Sequence, residues 1–150
     1  MARQYIVTTA SIALTAAANK TILEFPTSAS DVVLITGLEL SFSATAAGSC
    51  VVEWGTYTTT GTGTTVTPGK LGVDRAIAAI LGTVKIADTV EPTGFAVATD
   101  MPTWVFPLPG MYSILYPAGR EHYQPASILR AIRVNSTLAC NVRLNLYFEQ

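Results

Sequence analysis

A chain of 150 residues is enough for one domain, which at that size buries about 70% of its unfolded surface. Hydrophobic residues make up 49% and charged residues only 13%, which excludes a disordered polymer and leaves little charge to keep a lone monomer soluble. The net charge of −1, with no run of Lys or Arg, gives no electrostatic pull toward nucleic acid or an anionic membrane.

Residues 1–18 are too apolar for a disordered tail, yet Thr and Ser interrupt them, so they read as neither a signal peptide nor a membrane span. They are expected to form an N-terminal arm that adds an edge strand or lies on a neighbour, ahead of a domain over residues 19–150. Without a signal, the sequons at Asn19 and Asn135 are chance matches.

Strands are expected at residues 21–25 and at 32–35, which adjoins the next. In that next strand Leu38, Leu40, Phe42 and Ala44 alternate with Glu39, Ser41 and Ser43. Cys50, Val52 and Trp54 then alternate with Val51, Glu53 and Gly55, and the stretch ATAAGS between the two sets suits a hairpin loop.

The stretch TYTTTGTGTTVTPGKLG, residues 56–72, has the look of a phosphate loop, but the pattern fails. Gly63 stands one residue too far from Gly69, Leu71 follows Lys70 where a metal-binding hydroxyl is needed, and Pro68 removes an N–H donor. A Thr/Gly loop of about a dozen residues remains, expected to be mobile in the isolated subunit and to order against a partner.

One short helix is expected over residues 74–81, with Asp74 as N-cap, Ile77, Ile80 and Leu81 on one face, and Gly82 beyond its end. Further strands follow at 83–87, 103–106, 112–116 and 128–134, and the eight prolines argue against long helices. The C-terminal segment carries the clearest alternation. Leu138, Cys140, Val142, Leu144, Leu146 and Phe148 share one face, and Asn141, Arg143, Asn145, Tyr147 and Glu149 lie on the other. Burying six such side chains contributes at most about 9–18 kcal/mol, which marks a core strand. Eight or nine strands at irregular spacing predict an all-β fold, an antiparallel β-sandwich of jelly-roll type.

No residue pattern specifies catalysis, a cofactor or a metal. His122 is the only histidine and sits in a loop-like YPAGREHYQP stretch, where a surface or interface contact is the expected role. The ten carboxylates are scattered, with no Ca²⁺-loop pattern. The two cysteines, Cys50 and Cys140, are in phase with core residues and are expected to be reduced, buried thiols. Trp54 is in phase with them and reads as core, whereas Tyr147 lies on the polar face and reads as a contact residue. Arg133 and Arg143 point outward by alternation. Arg130 shares phase with Ile128 and Ile132, and so requires a paired acid or an exposed strand end.

The stretches NKTILEF, GLELSFSATA, TTTGTGTTVTPGKL, TVEPTG and YPAGREHYQPASILRAIRVNSTLACNVRLNLYFE, in this order, resemble the head decoration (cement) proteins of tailed bacteriophages. The likeness runs over residues 10–149, and the helix at 74–81 departs from it, since that region reads in the family as loop and strand. The resemblance implies a structural protein made in the host cytoplasm and carried on the capsid surface of the virion. Its partners would be the major capsid protein, whose neighbouring subunits it would bridge, and its own copies in a homotrimer. It implies no enzyme activity and no cofactor. Arg3, Tyr5 and Val7 of the arm, Thr60, Thr62 and Thr64 of the Thr/Gly loop, and Tyr147 are then the expected partner contacts. The competing reading is a host-attachment or glycan-binding module of a virion, which requires exposed aromatics beside polar groups in a concave site.

Overall fold

The computed structural model describes residues 4–30, 32–71 and 83–150. Arg3 and the expected helix at 74–81 lie outside the described residues. The strands are, in order, β1 (Gln4–Thr8), β2 (Ile12–Leu14), β3 (Asn19–Pro26), β4 (Val33–Ser43), β5 (Gly48–Thr56), β6 (Thr62–Val66) and β7 (Gly69–Lys70). They continue with β8 (Val84–Val90), β9 (Ala96–Val97), β10 (Thr103–Leu108), β11 (Gly110–Leu115), β12 (His122–Gln124), β13 (Leu129–Ser136) and β14 (Cys140–Glu149).

Two antiparallel sheets pack face to face. The first runs β11-β4-β14-β1-β7, with β12 on β4 and β2 on β14, and the second runs β10-β5-β13-β3-β8-β6, with β9 on β5. The chain crosses between the sheets repeatedly, among other places at β3 to β4, β4 to β5, β10 to β11 and β13 to β14. The chain is therefore a doubled ribbon: the β4–β5 pair lies beside β14–β13 on one flank and β11–β10 on the other. With β1 and β3 closing the far side, the order is that of a jelly roll.

Alternation sets the core. On β14, Cys140, Val142, Leu144, Leu146 and Phe148 face inward and are at most 8% exposed. From β4 come Ile35, Leu38, Leu40 and Phe42, and from the opposite sheet Val52, Trp54, Ile132 and Val134. Strand β14 begins two residues later than the alternation suggests. The Ser136 hydroxyl donates to the Leu138 carbonyl (2.7 Å) and accepts from the Leu138 amide (3.2 Å), so these residues form the turn between β13 and β14.

The N-terminal segment belongs to the sandwich. Strand β1 is enclosed, paired with β14 on one side and β7 on the other, and β2 pairs with the start of β14. Tyr5, Val7, Ile12 and Leu14 all enter the core, and Tyr5 stacks on Phe148 at 5.3 Å. The Thr/Gly stretch also differs from expectation. It is not a free loop, because residues 62–66 form β6, the edge strand of the second sheet, paired with β8. Between the pairs Thr62↔Val90 and Thr64↔Ile86, four residue steps on β8 face two on β6. The resulting bulge turns at Ala87, whose φ is +54°.

Candidate functional site

Residues directly opposed across an antiparallel pair share a face, so the registers assemble the outer surface of the first sheet row by row. Ile6, Tyr147, Gly37 and Leu115 form one row. Thr8, Asn145, Glu39 and Ser113 form the next, and Arg143, Ser41 and Met111 a third. A Cβ on Gly37 would come 2.8 Å from both Leu115 Cδ2 and the Ile114 carbonyl oxygen, so the glycine lets Leu115 lie across the sheet.

Glu39 stands at the centre. Its Oε2 accepts from Tyr147 Oη at 2.9 Å and from Asn145 Nδ2 at 3.1 Å. Those two bonds, led by Asn145, hold its carboxyl below the usual carboxylate range, and the same bond to Glu39 raises the Tyr147 phenol. A hollow of about 420 Å³ opens beside it, lined by Thr8, Ser41, Met111, Tyr112 and Arg143 among others. A second of about 310 Å³ takes in Leu115, Tyr116, Tyr147 and Leu71. Glu39 borders both, so the face is a shallow groove with one anion and one cation, Arg143, at its middle. Met111 (85% exposed), Leu115 (69%) and Leu71 (41%) are large apolar side chains it presents to solvent.

Part of the second sheet's outer face is covered by the chain itself, while Val105 on β10 stands 65% exposed. The Phe95 ring lies on Gly55, where a Cβ would meet it at 2.2 Å, and the Arg133 guanidinium sits 3.9 Å above the ring centroid. Arg133 also donates to Glu53 Oε2 from Nη2 (2.8 Å) and Nε (3.2 Å). Arg130 meets the requirement read from its phase: although buried, it forks onto Asp100, with Nη1 to Oδ1 at 3.0 Å and Nη2 to Oδ2 at 2.5 Å. This contact lowers the Asp100 carboxyl.

The expected contact residues scatter. Tyr5 and Val7 are 2% exposed and committed to the core, which withdraws them from any partner surface in this conformation. Thr60, Thr62 and Thr64 are exposed, but Thr60 donates to the buried Glu24 and the Thr62 carbonyl accepts from the Thr89 hydroxyl at 3.0 Å. Tyr147 falls within the groove, and Tyr5, though its side chain is committed to the core, also borders the second hollow. His122 pairs through β12 with Ile35 and meets the Tyr116 ring edge-on at 4.5 Å, and burial lowers its pKa. Glu39, Met111 and Leu115 escaped the sequence reading. Their signal was the polar face of β4, which means little until β14 and β11 are known to flank it.

Cys50 and Cys140 are free and buried, on opposite sheets. Burial, then the nearness of Cys140, pushes the Cys50 thiol up to about 12. Both are expected to resist a water-soluble thiol reagent in the native protein and to react fully in denaturant without reductant. A non-reducing mass showing the loss of two hydrogens would contradict this.

No protein-family model matches the chain, and no curated protein matches it in sequence.

Proposed function

We propose that this chain is a structural virion protein of the tailed-phage head decoration type. It binds the outside of the capsid and bridges neighbouring capsid subunits, most simply as a homotrimer. The observation that carries this reading is the outer face of the first sheet, where Met111 and Leu115 stand in solvent around a groove with balanced charge. Such a surface suits flat contact with another protein, its apolar side chains serving as anchors and its polar rim as register. The low charge of the chain agrees with a surface that is normally covered. The jelly roll is compatible with this role but does not decide it, because the same architecture carries capsid and lectin domains alike.

The test is co-sedimentation of purified protein with undecorated capsids of a tailed phage, with the solution mass measured by analytical ultracentrifugation. Saturable binding of a trimer is expected. Binding to glycans with none to capsids would replace this reading with the attachment module.

A further inference from the structure

Glu24 and Asp88 are 0% and 1% exposed, yet they are provided for unequally. Glu24, on β3, has donors: the Gly61 amide reaches Oε1 at 2.5 Å and the Thr60 hydroxyl reaches Oε2. Asp88, on β8, has none, and both of its carboxyl oxygens are buried without a hydrogen-bond donor. An ionised carboxylate left in that condition is strongly disfavoured.

The two glycines of the Thr/Gly ribbon show where these carboxyls lie. A Cβ on Gly63 would sit 2.2 Å from Asp88 Oδ1, and one on Gly61 would sit 2.7 Å from Asp88 Oδ2 and 3.0 Å from Glu24 Oε1. Both carboxyls therefore converge on the space that a side chain at Gly61 would take. Two carboxylates cannot hydrogen-bond each other, whereas a carboxylic acid and a carboxylate can.

The charged neighbours do not supply the missing donor. From β8, Lys85 Nζ donates to Thr60 Oγ1 and the Gly61 carbonyl, both at 2.8 Å. From β3, Lys20 Nζ donates to the backbone carbonyl of Asp88, not to its carboxyl. Glu91, beyond β8, accepts from the Thr21 amide and adds a further negative charge nearby. The Tyr57 phenol, leading into the ribbon from β5, is held neutral by burial and by Glu24. No trio of metal-ligating side chains is assembled among the described residues, and a proton is an occupant that two facing carboxyls can share.

We propose that one proton shared between Glu24 and Asp88 latches residues 57–66 onto β3 and β8, and that its loss frees β6 from the edge of the second sheet. Burial, together with the Glu24 carboxyl, pushes Asp88 up to about 7, with Lys85 opposing. The folded pKa lies above the ordinary carboxylate value, so the latch is fully closed in acid and its stabilisation is lost as pH rises through about 7. Opening would expose the paired side of β8, a strand edge able to accept another strand.

The experiment uses the isolated protein, so its outcome is independent of capsid binding. Amide hydrogen exchange over residues 57–66 is compared at about pH 5 and about pH 9 after correction for intrinsic chemistry. Protection in the wild type is expected to fall at least about tenfold on the alkaline side, while the C-terminal strand stays protected. Asp88→Asn, whose amide can donate to Glu24 at any pH, is expected to show no such fall. Equal protection at both pH values in the wild type, or the same fall in Asp88→Asn, overturns the latch. Should that variant not fold, infrared difference spectra of the wild type decide: a protonated-carboxyl band must disappear across neutrality, and its absence overturns the proposal.

Discussion

Replacing Leu144 with aspartate is expected to abolish the folded state. Leu144 is 0% exposed, opposite Leu40 in the centre of the first sheet, and its backbone is fixed by Thr9 on both sides. Losing the leucine contacts costs about 2–5 kcal/mol, and placing a carboxylate there without a partner adds several more. The stability of a whole domain is only about 5–15 kcal/mol. Circular dichroism and proton NMR of Leu144→Asp should report an unfolded or aggregated chain. A cooperative transition near the wild-type melting temperature would show that β14 does not hold the core together.

The second large effect is expected on binding alone. Met111 and Leu115 stand on β11 in solvent, so the double substitution Met111→Asp, Leu115→Asp should leave the melting temperature nearly unchanged. If the groove is the capsid-facing surface, each lost anchor should weaken attachment by about 2 kcal/mol, close to thirty-fold in Kd. Co-sedimentation titrations of both proteins measure this directly. Unchanged attachment with an intact fold would move the contact elsewhere, to the exposed threonines of β6 in the first instance.

Where the pattern was local, the architecture was legible. The alternation on β4, β5 and β14 gave the inward residues within the strands, though not Ala44 and Leu138, which fall beyond the strand ends. The phase of Arg130 called for an acid partner or an exposed strand end before Asp100 could be named. Tyr5, Val7, Ile12 and Leu14 alternate as well, but they are broken by a polar stretch, and only pairing with β14 makes them core. Strand β6 was hidden for a different reason. Its sequence, TGTTV, has the glycine of a loop, and what makes it a strand is its pairing with β8, where the Asp88 carboxyl stands in the side-chain space at Gly63. Those glycines are the residues that first suggested a phosphate site; the negative charge beside them belongs to the protein. Residues 60–65 also supply the Thr60 hydroxyl and the Gly61 amide to Glu24, so excising them would strip donors from a buried carboxyl instead of trimming an idle loop.

The doubled ribbon has a consequence for how the chain reaches its native state. Strand β14 lies between β4 and β1, with β2 beside its start, and it follows all of them in sequence. Until it emerges from the ribosome, β1, β2 and β4 have no shared neighbour, and their edges toward β14 stay unpaired. Closing sequence separations that span nearly the whole chain is slow, and partly built sheets with open edges are sticky. Synthesis of this protein in quantity should therefore favour low temperature and slow translation, and nascent chains halted before β14 should be the species that chaperones hold.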